Sequence, residues 1–276
     1  MDIRKSVERV KDADIVIFAS GISPSLEGEE MGVNLPGFKK GDRTDIELPA
    51  VQRELIDALH RAGKKIILVN CSGSPIGLEP ETQKCEAILQ AWYPGQQGGK
   101  AVAEVLFGDY NPAGKLPVTF YRNVSQLPDF EDYNMTGRTY RYMQDVPLFP
   151  FGYGLSYTTF GYGKTVFDKN ELTAGQSLKL TVPVTNTGKR NGEEVVQVYL
   201  RKQGDAEGPI KTLRAFKRVS IPAGKTVNVE FDLKDKELEW WDDQSNTVRV
   251  CPGNYDIMVG GSSKEEDLQR TTIAIK

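Results

Sequence analysis

The stretch 48–73, LPAVQRELIDALHRAGKKIILVNCSG, changes hydrophobic period halfway along, and that change decides the fold class. Its first part reads as a helix. Pro49 suits the first turn, Val51, Leu55, Ile56 and Leu59 share one apolar face, and Gly63 suits the position just past the end. From Lys64 onward KKIILVNCSG, with the unbroken apolar run Ile66–Val69, reads as a buried strand. The same alternation extends outward. IVIFAS (15–20) is another such strand, EAILQAWYPG (86–95) a third closed by Pro94-Gly95, and GGKAVAEVLFG (98–108) a helix with Val102, Val105 and Leu106 inward and Gly108 beyond it. Strand–helix–strand order predicts an α/β layer with parallel strands and right-handed crossovers. Only three strands are legible, the first close to Met1, whereas a parallel sheet needs both faces covered. The expectation is an incomplete parallel-sheet α/β sandwich whose neighbouring strands come from preceding sequence.

Beyond residue 120 the period changes. Residues 121–159 are irregular and rich in Tyr, Pro, Asp and Asn, a length that is usually functional or wraps another domain. Then alternation of period two sets in. Leu178, Leu180, Val182 and Val184 share one face of SLKLTVPVTNTG, and Val196, Val198 and Leu200 one face of EEVVQVYL. KTVNVEFDL repeats the pattern with Val227, Val229 and Phe231, and GNYDIMVGG with Tyr255, Ile257 and Val259. Short alternating strands between Asn-Thr-Gly, Pro-Ala-Gly and Pro-Gly-Asn turns predict an all-β sandwich of the immunoglobulin or fibronectin III kind. The expected organisation is an α/β domain at 1–120, a linker at 121–159 and a β-sandwich at 160–276.

Composition narrows the function classes. A chain of 276 residues can bury two ordinary cores. Its net charge of −3 gives no electrostatic case for nucleic acid or an anionic membrane as partner. No apolar run approaches the roughly 20 residues of a membrane span, and the charged N-terminus lacks a signal peptide's apolar core. Localisation stays open. Cys71, Cys85 and Cys251 match neither a disulfide framework nor a zinc site, and Cys71 reads as a small buried thiol. PGQQGGKA (94–101) misses the phosphate-loop spacing by one residue and carries Ala101 where the hydroxyl belongs, so a tight turn into a helix is the better reading. His60, the one histidine, lies on the polar side of its helix, far from a serine or cysteine nucleophile. Asn123 and Asn134 sit in glycosylation sequons, a pattern frequent by chance. No cofactor and no metal are expected.

SPSLEGEEMG (23–32) differs in kind. It crowds Glu27, Glu29 and Glu30 into a loop after a parallel strand, where α/β proteins place their chemistry. Cleaving a glycosidic bond needs one carboxylic acid to protonate the departing oxygen and a second carboxylate to attack or to activate water. Crowded like charges raise the proton affinity of one member, the direction a general acid requires. Without context, solvated surface charge is the favoured reading of such a loop.

Several segments supply the context, because they resemble the C-terminal part of glycoside hydrolase family 3, the β-glucosidase and β-xylosidase family. DADIVIFASGISPSLEGEE with GDRTDIELPAVQRELI resembles its acid-bearing loop and following helix. AWYPGQQGGKAVAEVLFGDYNPAGKLPVTF resembles its most characteristic block, and YNMTGRTYRY and PLFPFGYGLSYTTF the segments leading to its last domain. VTNTGKRNGEEVVQVYL and LRAFKRVSIPAGKTVNVEFDL resemble its fibronectin III-like domain. The resemblance implies an exo-acting, retaining β-glycosidase acting on terminal glucosides or xylosides. It implies a TIM barrel that carries an aspartate nucleophile and that these residues do not include. Carried over by position, the acid/base falls on Glu27 within Leu26-Glu27-Gly28, or on Glu29, while Asp42 and Arg43 match the family's Asp-Arg, as sugar contacts or as an orienting ion pair. The implied partners are a β-linked oligosaccharide or glycoside and the barrel, with self-association through apolar surface that the barrel would cover. The alternative is a non-catalytic carbohydrate-binding or structural module, with Trp240-Trp241 or the Tyr133–Tyr142 segment as aromatic platforms. Packing within a core is the plainer role for both.

Overall fold

The computed structural model describes residues 2–27, 31–40 and 42–276. They form two compact units, interleaved along the chain: Met1–Phe107 with Phe120–Asp132 and Pro147–Phe149, and Gly108–Thr119 with Tyr133–Val146 and Pro150–Lys276. The first is mixed α/β with a parallel sheet and the second is β-rich.

The first unit runs α1 (Ile3–Arg9), β1 (Ile15–Gly21), α2 (Pro24–Glu27), β2 (Phe38–Lys39), β3 (Asp42–Arg43), α3 (Ala50–Arg61), β4 (Lys65–Cys71), α4 (Glu79–Thr82), β5 (Ala87–Gln90) and α5 (Gly98–Phe107). β1, β4 and β5 form a parallel sheet in that order, Ile15 opposite Lys65 and Ile67 opposite Ala87. Leu55, Ile56 and Leu59 of α3 are buried in one cluster with Ile66 and Leu68 of β4. Each fully buried aliphatic side chain contributes about 1.5–3 kcal/mol, so this seam anchors the layer. Gly63 takes φ +71° just past the end of α3. Val51 is exposed, and Val102, Val105 and Leu106 of α5 are half-buried.

Two expectations need correcting. The run IVIFAS is not covered on both faces: Val16 and Phe18 pack on the core, but Ile15 is 52% and Ile17 49% exposed. β1 is an edge strand, and the described residues leave its outer face open. The Cys71 thiol is half-buried rather than sealed inside.

The second unit holds α6 (Thr139–Tyr142), β6 (Phe160–Tyr162), β7 (Val166–Phe167), β8 (Glu171–Leu172), β9 (Leu178–Asn186), β10 (Gly192–Lys202), β11 (Thr212–Ile221), β12 (Thr226–Leu233), α7 (Asp235–Leu238), β13 (Trp240–Asp242), β14 (Thr247–Arg249), β15 (Gly253–Gly260) and β16 (Leu268–Ile275). A five-stranded sheet, β11-β10-β15-β16-β8, and a four-stranded one, β12-β9-β6 with β7 also on β9, supply the alternating apolar faces of a single core. Leu178, Leu180, Val182 and Val184 are all buried, as period two requires. Asn186 ends β9 fully buried and fully bonded. Its amide nitrogen donates to the carbonyls of Arg190 (2.7 Å) and Ile221 (2.9 Å), and its oxygen accepts from the Thr158 hydroxyl and the Gly188 amide. Trp240 is core, its indole donating to Asp205 at 2.6 Å and set edge-on to Tyr255, whereas Trp241 is 49% exposed.

Candidate active site

Glu27 stands on the single turn α2, directly beyond the C-terminal end of β1. Gly21 makes that placement possible. It has φ +129°, and a Cβ there would lie 1.8 Å from the Cys71 carbonyl oxygen. Gln52 of α3 clamps the same residue, accepting from its amide at 3.0 Å and donating to its carbonyl at 2.8 Å. The chain then turns, the Leu26 and Glu27 amides both donating to the Ser23 carbonyl.

Two hydroxyls reach the half-buried Glu27 carboxyl. Ser74, on the loop after β4, donates to Oε1 at 2.8 Å, and the Tyr93 phenol oxygen lies 2.7 Å from Oε2. Among the described residues Glu27 makes no ion pair within 4 Å, while its neighbours do. Glu47 pairs with Arg53 at 2.5 Å, and Asp45 lies 3.9 Å from Arg43. Desolvation of its hydroxyl end, helped by the bond to Glu27 and opposed by the Gly73 amide, pushes the Tyr93 phenol up to about 12. Tyr93 is therefore a neutral donor throughout the working range, although its ring is 41% exposed.

Tyr93 owes its position to strain. Trp92 has φ +57°, a left-handed conformation that costs a bulky residue of order 1–3 kcal/mol and persists only where the surroundings impose it. The Trp92 indole is held edge-on by Phe120, ring centroids 6.1 Å apart. Below the two loops a buried polar lattice ties β4 to β5: the Asn70 amide donates to Gln90 at 2.6 Å and to Ser72 at 3.2 Å, and the Ser72 hydroxyl donates to the Ser74 carbonyl at 2.8 Å. Gly73 completes the cradle, since a Cβ there would meet the Tyr93 ring at 2.6 Å and Glu27 Oε2 at 3.1 Å. We expect Gly73→Ala to displace the phenol from the carboxyl and to lower turnover by the assembled enzyme at least tenfold while the chain stays folded, the loss of one hydrogen bond to a charged group. Steady-state kinetics beside circular dichroism checks this.

Arg43 sits in the β2–β3 hairpin opposite Phe38, its guanidinium 5.6 Å from that ring centroid. Its Nη2 donates to the Glu47 carbonyl at 2.8 Å, and Nε and Nη1 are buried with no hydrogen-bond partner among the described residues. Burial holds this guanidinium below its ordinary value against the raising pull of Asp45, Glu27, Glu47 and Tyr93. Of the four residues singled out in the sequence, Glu27 and Arg43 thus share one electrostatic neighbourhood. Asp42 is exposed, the neighbouring strand position placing its side chain on the opposite face, and Glu29 lies outside the described residues. Ser74 and Tyr93 escaped the sequence reading. The block AWYPG pointed to the Tyr93 loop without saying what it faces.

Comparison with known proteins settles the relationship. Residues 1–157 match the family model described as the glycosyl hydrolase family 3 C-terminal domain. The chain belongs to glycosyl hydrolase family 3. Residues 194–263 of this family 3 chain match the fibronectin type III-like domain. A xylan 1,4-beta-xylosidase of Xylanibacter ruminicola is 56% identical over all of this chain and 32% of its own length. A beta-xylosidase of Formosa agariphila is 39% identical over 99% of this chain and 37% of its own, and a periplasmic beta-glucosidase of Salmonella typhimurium 36% identical over 95% and 34%. Among solved structures, a β-glucosidase from Erythrobacter marinus superposes with a TM-score of 0.86 at 39% identity, over 99% of this chain and 36% of that one. The chain spans about a third of the length of the curated relatives it matches.

Proposed function

We propose that this chain supplies the general acid/base, Glu27, of an exo-acting, retaining β-glycosidase whose nucleophile is carried outside these 276 residues. The carrying observation is the state of Glu27: a carboxyl at the mouth of a parallel sheet, held by two hydroxyls and free of direct ion pairing among the described residues, beside carboxylates that are ion-paired. The acid/base must enter the first step protonated, give that proton to the leaving group, and take one back in the second step, and a salt bridge would oppose the protonated state. In the first step the Glu27 carboxyl protonates the departing glycosidic oxygen while the second carboxylate attacks the anomeric carbon. In the second, the Glu27 carboxylate takes a proton from the water that releases the sugar. Retention requires the two carboxyls about 5–5.5 Å apart across the sugar. Arg43, tied to its own hairpin, serves here as an orienting charge, and Asp42 has no part in the acid/base step.

A β-xyloside is the substrate to try first, since the relative at 56% identity is a xylan 1,4-beta-xylosidase and the one at 39% a beta-xylosidase. β-Glucosides come second, on the solved β-glucosidase at 39% identity. A lone acid without its opposing carboxylate loses the positioning that supplies most of the rate. Purified alone, the 276-residue chain should hydrolyse neither xylobiose nor nitrophenyl xyloside, and turnover should appear when it is joined to a family 3 barrel. Vigorous hydrolysis by the chain with nothing added would overturn the reading.

A further inference from the structure

The Tyr93 hydroxyl has one proton and two acceptors. Its oxygen lies 2.7 Å from the Ile22 carbonyl oxygen and 2.7 Å from Glu27 Oε2. A backbone carbonyl only accepts, so a single proton satisfies both contacts fully only when Glu27 is protonated and donates to the phenol oxygen, leaving Tyr93 to donate to Ile22. When Glu27 is ionised, the phenol proton belongs on the carboxylate, because a hydrogen bond to a charged acceptor is about twice as strong as one to a neutral acceptor. Both arrangements use the same heavy-atom positions.

We propose that Tyr93 is a positioning residue that swings its proton between the Ile22 carbonyl and Glu27 as Glu27 loses and regains its own, so that one geometry serves both halves of the reaction. The inference rests on Glu27 being the acid/base. When Glu27 gives its proton to the departing oxygen, the Tyr93 O–H turns from Ile22 to the new carboxylate. When Glu27 takes a proton from the attacking water, the Tyr93 O–H turns back. Tyr93 keeps its own proton throughout, as a phenol pushed up to about 12 must. The groups around the swinging proton are fixed. Ile22 is buried, its amide donating to the Cys71 carbonyl at 3.0 Å; Trp92 and Gly73 set the ring; and the Ser74 hydroxyl holds the other carboxyl oxygen in either state. The charged groups around the pair are Arg43, whose field reaches both Glu27 and Tyr93, and Asp45 and Glu47 behind it. Glu29 and Glu30 lie outside the described residues.

The test follows the carbonyl carbon of Ile22 and the carboxyl carbon of Glu27 by nuclear magnetic resonance through a pH titration of the chain. In the wild-type protein both signals should move with a shared midpoint. In Tyr93→Phe, which keeps the ring, Glu27 should still titrate and Ile22 should stay flat. An Ile22 signal that is flat in the wild-type protein, or that moves equally in the variant, overturns the proposal. In the assembled enzyme Tyr93→Phe should lower kcat about tenfold with both nitrophenyl xyloside and xylobiose, whose limiting steps differ, with KM little changed. Loss with only one of them would assign the hydroxyl to one protonation state and sink the swing. If Glu27→Gln leaves hydrolysis unchanged, the acid/base reading fails, and that failure is visible separately from the Ile22 signal.

Discussion

Glu27→Gln, placed in an assembled enzyme, should cut turnover of xylobiose by about 10²–10⁴-fold, the usual worth of a positioned proton donor. The carboxamide keeps the shape, and its oxygen can still accept from Ser74 or Tyr93, so the fold should be untouched. What it lacks is a proton to give. The deficit must therefore depend on the leaving group. Nitrophenolate departs with little help and should lose far less in the bond-breaking step than a sugar alcohol does. The sugar–enzyme intermediate should then accumulate, because the carboxamide cannot activate water. Azide, a nucleophile needing no general base, should restore release of the sugar. A variant with equal losses on both substrates and no response to azide would show that Glu27 only shapes the pocket, and Glu29 would be the next residue to replace.

How far these residues could be read in advance follows from the range of each interaction. α3 was legible because its three buried positions, Leu55, Ile56 and Leu59, are set by a local period, and the strands of the sandwich for the same reason. The open face of β1 was not. IVIFAS is equally apolar with one face packed or two, and only what the rest of the fold lays against each face decides whether Ile15 and Ile17 are covered. Glu27 was reachable through its loop and its resemblance to a family. Its partners were not, for Ser74 is 47 positions away and Tyr93 66, joined to it only by the parallel alignment of β1, β4 and β5. The left-handed Trp92 has no local signature at all, since nothing in the residue favours it; the surrounding fold imposes it.

The second large effect concerns the floor beneath Arg43. Arg53 of α3 donates from Nε to Glu81 Oε1 at 2.8 Å and from Nη2 to Glu81 Oε2 at 3.2 Å, to the Gly77 carbonyl at 2.6 Å and to Glu47. The Glu81 side chain is 1% exposed. Burial acts to lower the Arg53 guanidinium, and the hydrogen bonds and charges of Glu81 and Glu47 outweigh it, holding the group above its ordinary value. An exposed pair of this kind would be worth about 0–1 kcal/mol. Here, replacing Arg53 by Met leaves a carboxylate inside the protein with its main donor gone, and the expected cost is about 3–5 kcal/mol. Changing Glu81 to Leu in the same chain removes the stranded charge, so the double variant should be more stable than Arg53→Met alone. Denaturant midpoints, with amide exchange at Leu55–Leu59 and Ile66–Leu68 to assign the loss to the α/β unit, measure both. Loss of Arg53 also frees Glu47, whose carbonyl anchors Arg43. The single variant should therefore weaken catalysis in the assembled enzyme even at temperatures where it remains folded. A single variant within about 1 kcal/mol of wild type would mean that water reaches Glu81 and the pair is a surface pair in all but appearance.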